Sequence, residues 1–167
     1  KLEKINIQKG EIVSVIAGDR EILCDKVILA TGHSARDVFS LLKDMNVEMA
    51  QKPFSMGVRI EHRQEDINRA LYGKFYNHPA LSAADYKMAV HLPSGRGVYT
   101  FCMCPGGEVI NSSSEEGGIA VNGMSYSCRD GENANSALLV NVNPEDLDST
   151  DIMAGCYLQQ KIEKAAY

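Results

Sequence analysis

No stretch of the 167-residue chain approaches the roughly 20 consecutive apolar residues that a membrane-spanning helix needs. Nor does a basic start followed by an apolar run mark a secretory signal. An excess of positive charge is missing too. Seventeen Lys and Arg face 22 Asp and Glu, for a formal net charge of −5, which argues against a nucleic-acid partner or a polybasic membrane surface. There is no internal repeat and no low-complexity segment, and at 44% hydrophobic residues the chain is too apolar for disorder. Its five cysteines cannot all pair internally. The spacing of Cys24, Cys102, Cys104, Cys128 and Cys156 lacks a four-ligand zinc pattern, and His62, His78 and His91 are scattered, so no metal site is expected. Reduced thiols and a cytoplasmic location fit this usage. A GxGxxG fingerprint is also absent, and Gly95-Arg96-Gly97 does not complete one, so the chain by itself carries no phosphate-cradling dinucleotide site.

What is present fits one domain with a core or two small lobes. The fourteen glycines, clustered in the second half, favour turns and strands over a helical bundle. Ile5 and Ile7 alternate with polar residues up to a turn at Lys9-Gly10, and residues 12–16 and 21–24 read as the next two strands. The run Val27-Ile28-Leu29-Ala30 is apolar on both faces, as in a strand buried in a parallel sheet. It ends in Thr31-Gly32-His33-Ser34, with a helix over 35–45 for which Ser34 is the expected N-cap and Asp37 completes a capping-box-like pattern.

Beyond Lys52-Pro53, strands are expected over 54–61, 86–92, 97–104, 108–111, 119–124 and 137–142, with a loop over 125–135 and helices over 64–71 and 153–166. The fold class read from this order is α+β. It has a three-stranded start and a helix, then an antiparallel sheet of about five strands, then a closing helix.

Four features carry candidate chemistry. The Ala30-Thr31-Gly32 strand end lets a ligand approach the backbone, since Gly32 has no Cβ; an ordinary core strand explains it as well. In Phe101-Cys102-Met103-Cys104-Pro105-Gly106-Gly107, strand alternation places Cys102 and Cys104 on one face. They read as a redox pair, as half a metal site, or as two small buried hydrophobes. The polar stretch from Asn122-Gly123-Met124-Ser125 through Arg129 to Asn135-Ser136 is dense in amides and hydroxyls, which is also good loop composition. Arg59 and Glu61 share a strand face, where a surface ion pair explains them as well as catalysis does.

Several longer motifs are more specific. Val27-Ile28-Leu29-Ala30-Thr31-Gly32-His33-Ser34-Ala35-Arg36-Asp37 resembles the second FAD-associated fingerprint of a bacterial family of FAD-dependent dehydrogenases. The same family is matched by Lys52-Pro53-Phe54-Ser55-Met56-Gly57-Val58-Arg59-Ile60-Glu61-His62 and by Arg96-Gly97-Val98-Tyr99-Thr100-Phe101-Cys102-Met103-Cys104-Pro105-Gly106-Gly107. Asn122-Gly123-Met124-Ser125 and Asn133-Ala134-Asn135-Ser136-Ala137-Leu138 follow in the expected order.

The resemblance implies a glutathione-reductase-like flavoprotein, an FAD lobe interrupted by a mainly β substrate-type domain. Residues 1–50 would be a partial FAD lobe (β-meander, ATG strand and helix). Residues 51–145 would be the inserted domain, and 146–167 the linker and helix returning to the FAD lobe. FAD is then the cofactor of the parent protein, approached by Ala30, Thr31 and Gly32, while this chain alone is expected to bind none and to be inactive. Cys102, Cys104, Arg59, Arg129 and Asn135 are the candidates for the catalytic or substrate side.

The chain opens at Lys1 and stops inside a helical pattern at Tyr167, so it is expected to be an internal piece of a flavin-dependent oxidoreductase. Its substrate would be a small molecule, with neither nucleic acid nor membrane as a partner, and an uncovered FAD-lobe edge is an expected self-association surface. The alternative is a non-catalytic ligand- or protein-binding module.

Overall fold

A computed structural model describes residues 1–32 and 34–167. It is α+β with mainly antiparallel sheets. The chain divides into two units, Lys1–Gln51 with Ser149–Tyr157 and Lys52–Asp148 with Leu158–Tyr167.

The first unit is built on the meander β1 (Leu2–Gln8), β2 (Glu11–Ala17) and β3 (Arg20–Leu23), in the order β1-β2-β3. The Lys9-Gly10 turn has positive φ at both residues, 52° and 85°, the geometry whose twist matches a tight hairpin. Ile5 and Ser14 are buried in this sheet. The Ser14 hydroxyl is satisfied by Asn6 Nδ2 at 2.9 Å and Glu21 Oε1 at 2.5 Å. Helix α1 (Arg36–Asp44) packs on β1 and buries Val38. Lys43 meets Asp151 at 2.7 Å, and this contact raises the Lys43 pKa and lowers that of Asp151.

Two expectations for this unit are corrected. The N-cap position of α1 is Ala35, with no side-chain cap hydrogen bond, and not the expected Ser34. Residues 27–32 form no strand, and Ile28 is 92% exposed. A strand exists only through a hydrogen-bonded neighbour, and the meander closes at β3 without offering one. His33, expected within that motif, lies outside the described residues.

The second unit carries a four-stranded sheet in the order β4-β9-β6-β5, formed by β4 (Phe54–Arg63), β9 (Asn133–Val142), β6 (Gly97–Cys104) and β5 (Ala89–His91). A separate hairpin pairs β7 (Gly107–Asn111) with β8 (Val121–Ser125). In place of one sheet of about five strands there are six strands split four and two, with β7, which follows the Pro105-Gly106 turn, pairing with β8. The strand expected over 86–92 shortens to β5. Strand β9 begins at Asn133, inside the expected loop, and its register runs unbroken along β4 from Phe54↔Val142 to Arg63↔Asn133. Helix α2 (Gln64–Tyr72) follows β4 directly and packs on β4 and β9. The last helix, α3 (Ala154–Ala165), holds β7–β8's connecting loop through its C-terminal half, where Ile119 N–H donates to Glu163 O at 2.9 Å.

Pairing of β6 with β9 slips between Phe101↔Ala137 and Cys104↔Asn135, three steps on one strand against two on the other. The extra residue makes a β-bulge, and Cys102 adopts φ 47° there. Simple alternation therefore fails at this point, and Cys102 and Cys104 do not share a face as two residues of a regular strand. Both are free thiols, Cys102 exposed and Cys104 half-buried.

Candidate functional site

The register of the four-stranded sheet puts Arg59, Glu61, Asn135, Ala137 and Cys104 on one face. There the Arg59 guanidinium is the centre of a cluster. Its Nη1 donates to Asn135 Oδ1 at 2.6 Å and to the Cys102 carbonyl at 3.1 Å, and lies 3.8 Å from Cys104 Sγ. Nη2 reaches Asn122 Oδ1 at 3.5 Å. The bulge makes this possible, because the left-handed turn at Cys102 aims its carbonyl at Arg59 and at Cys104 Sγ, 3.5 Å away. Such a conformation costs a non-glycine residue about 1–2 kcal/mol.

Glycine 123 supplies the room. A Cβ there would stand 2.2 Å from Asn135 Oδ1, 2.3 Å from Arg59 Nη1 and 2.7 Å from Cys104 Sγ. Strand β8 thereby closes on the cluster as only a residue without a side chain can. Asn135 is fully buried and spends its carbonyl on Arg59, while its Nδ2 has no hydrogen-bond partner. Leaving that donor unpaired costs about 1–3 kcal/mol.

Glu61 does not pair with Arg59. Its Oε2 accepts from Val109 N–H and its Oε1 from Asn133 Nδ2, both at 2.8 Å, which fastens β7 and the start of β9 to β4. Below the bulge, Gln64 is 6% exposed. Its Oε1 accepts from Gly106 N–H at 2.8 Å, and its Nε2 donates to Asn68 Oδ1 at 2.8 Å and to the Ala84 carbonyl at 2.9 Å. Gln64 thus anchors the Pro105-Gly106-Gly107 turn to α2.

Four of the expected site residues, Arg59, Cys102, Cys104 and Asn135, are brought together. Arg129 is not among them. It is exposed in a turn at φ 53°, and its backbone is packed so closely on Gly106 that a Cβ on that glycine would meet Arg129 O at 2.2 Å. Ala30, Thr31 and Gly32 belong to the first unit, all exposed, with Gly32 at φ 79° and no atom within 4 Å of where its Cβ would stand. Gly123 and Gln64 were missed as site residues. The dipeptide Asn122-Gly123 was the available signal for the first, and a buried Gln opening a helix carries none.

These residues make an anion-receptive face rather than a metal centre or a flavin cradle. Among the described residues no three His, Cys, Asp or Glu side chains gather to hold a metal ion. Among the described residues no helix is long and apolar enough to cross a membrane. Among the described residues, the exposed strip at 30–32 has no glycine-rich phosphate turn beside it, so it would meet a flavin as an approach surface only.

A family model described as FAD-dependent protein, C-terminal domain-like, matches residues 53–167, which include every member of the Arg59 cluster. An uncharacterized protein of Clostridium beijerinckii (strain ATCC 51743 / NCIMB 8052) is 48% identical over 168 residues, covering 100% of this chain and 32% of the relative. The chain therefore spans about a third of the length of the curated relative it matches.

Proposed function

The chain belongs to the FAD-dependent protein, C-terminal domain-like family, and from that premise we propose that it works as part of a flavin-dependent oxidoreductase. Residues 51–145 would be the substrate-side domain, with 1–50 and 146–167 contributing to the FAD lobe. The observation that carries the reading is the Arg59 cluster, a cation assembled within the matched region from a bulged strand, a buried amide and a close-packed glycine. Flavin, when bound, supplies the acceptor for a hydride or electrons from the substrate.

The chain's own residues do the rest. Arg59 orients the substrate, Asn135 and the Cys102 carbonyl hold the guanidinium in place, and Cys104 lines the same spot. Ala30, Thr31 and Gly32 would give the flavin an exposed strip in which Gly32 leaves the backbone open to approach.

The test is made on the whole natural polypeptide that carries this sequence. Purification with a visible flavin absorption band, or uptake of FAD after mixing, supports the reading. Absence of both overturns it in favour of a ligand- or protein-binding module.

A further inference from the structure

Of the second unit's five arginines, Arg129 is exposed and forms no ion pair among the described residues, and the other four fall into two kinds. Arg63 meets Glu65 and Glu132, Arg69 meets Glu65, and Arg96 meets Asp146. Arg59 has only neutral acceptors, namely Asn135 Oδ1, the Cys102 carbonyl, Asn122 Oδ1 and the Cys104 sulfur. Among the described residues no carboxylate forms an ion pair with it. The nearest candidate by register, Glu61, is committed to Val109 N–H and Asn133.

The sheet pays for this arrangement three times: a non-glycine residue in the left-handed region, a fully buried amide with an unused donor, and a glycine whose Cβ would collide with the guanidinium. Structure spent on fixing a half-buried cation without its counter-ion is pre-organisation for an anion that arrives from outside.

We propose that Arg59 binds the carboxylate of the substrate, and that the substrate class is a small carboxylic acid. The proposal rests on the flavoprotein reading above. Nη1 is consumed by the protein, whereas Nη2 makes one long contact to Asn122, which is exposed. Nε has no hydrogen-bond partner among the described residues and is not buried, so the Nε–Nη2 edge of the planar fork is left for two parallel hydrogen bonds, a geometry that matches a carboxylate. Asn135 is a positioning residue, acting through Arg59. Phosphate shares the oxyanion chemistry and would come from the cofactor instead of the substrate.

The experiment is an amide NMR titration of the 167-residue chain with sodium acetate at constant ionic strength, chloride being the balancing ion. Saturable shifts are expected at the backbone amides of Cys104, Gly123 and Asn135. Arg59→Gln abolishes them, and Arg59→Lys, which keeps the charge but not the fork, weakens binding roughly tenfold. Arg129→Gln titrates as the parent chain does. Shifts that do not saturate, or that persist in Arg59→Gln, overturn the proposal. So does inorganic phosphate that displaces acetate at a tenth of its concentration or less, which would assign the cation to the cofactor. Should Arg59→Gln fail to fold, Arg59→Lys decides, since unchanged affinity there contradicts a bidentate carboxylate. No flavin is used, so a negative result leaves the flavin test of the whole polypeptide standing, and the reverse holds equally.

Discussion

The two faces of the β4-β9-β6 sheet are built from the same three strands and have opposite chemistry. One carries Arg59, Glu61, Asn135 and Cys104, with β8 closed on the cluster through Gly123. The other carries Met56, Val58, Ile60, Leu138, Val140 and Val98, and there Val58 is 63% exposed and Ile60 40%. The polar face is tied by hydrogen bonds to a bulge, a hairpin and a helix. The apolar face is regular, buried at Thr100 and Ser136 and open at Val58 and Ile60. Hydrophobicity thus says little about where this sheet has invested its precision; the burial of Asn135 and the strain at Cys102 say more.

The largest effect comes from breaking what the faces share. A Cβ at Gly57 would lie 1.8 Å from the Leu138 carbonyl oxygen on the paired strand, and backbone cannot swing aside. Gly57→Ala is expected to destabilise by about 3 kcal/mol or more, read as a lowered urea midpoint.

Next is the support under the polar face alone. Gln64→Ala removes three hydrogen bonds in a buried place and leaves Gly106 N–H and the Ala84 carbonyl without this partner. A loss of about 2 kcal/mol is expected in thermal unfolding, with amide-exchange protection falling first at Gly106 and Gly107.

The rim of the same face is sensitive to acid. Arg96 reaches both Asp146 oxygens and the Asn141 carbonyl. The Arg96 guanidinium, helped by the Asn143 N–H, lowers the Asp146 pKa from 3.8 to about 2. Because the folded value lies below the unfolded one, the stabilisation is complete above 3.8 and disappears as the pH falls towards about 2. Asp146→Asn should flatten the stability profile across that window and change little at neutral pH beyond a constant offset.

The smallest effect belongs to the open apolar face. Val58→Thr is expected to shift stability by no more than about 0.5 kcal/mol and to leave the acetate titration unaltered. A large loss there would mean that this face is covered, and would erase the asymmetry.

Much of the frame was legible in the sequence. The Lys9-Gly10 turn and the bounds of β6, Gly97–Cys104, follow from local turn residues and period-two patterning, which need no partner strand to be read. Residues 27–32 could not be judged this way, since their apolar run specifies a strand only where a neighbour supplies hydrogen bonds. The start of β9 was hidden for the opposite reason. Asn133 and Asn135 look like loop residues, yet they sit on the sheet because their amides serve Glu61 and Arg59. The bulge at Cys102 depends on how β6 and β9 are registered, a long-range fact absent from the local pattern. Grouping Arg59, Cys102, Cys104 and Asn135 was achieved by motif, and Arg129 was included by composition alone.

The central proposal is that Arg59 binds a substrate carboxylate in a protein whose reaction is carried by flavin. Its most direct test is an acetate titration of the visible flavin band in the FAD-loaded whole polypeptide, beside Arg59→Gln loaded equally. A saturable perturbation of the band that vanishes in Arg59→Gln is the predicted result. A band that does not respond, or responds identically in the variant, would contradict it.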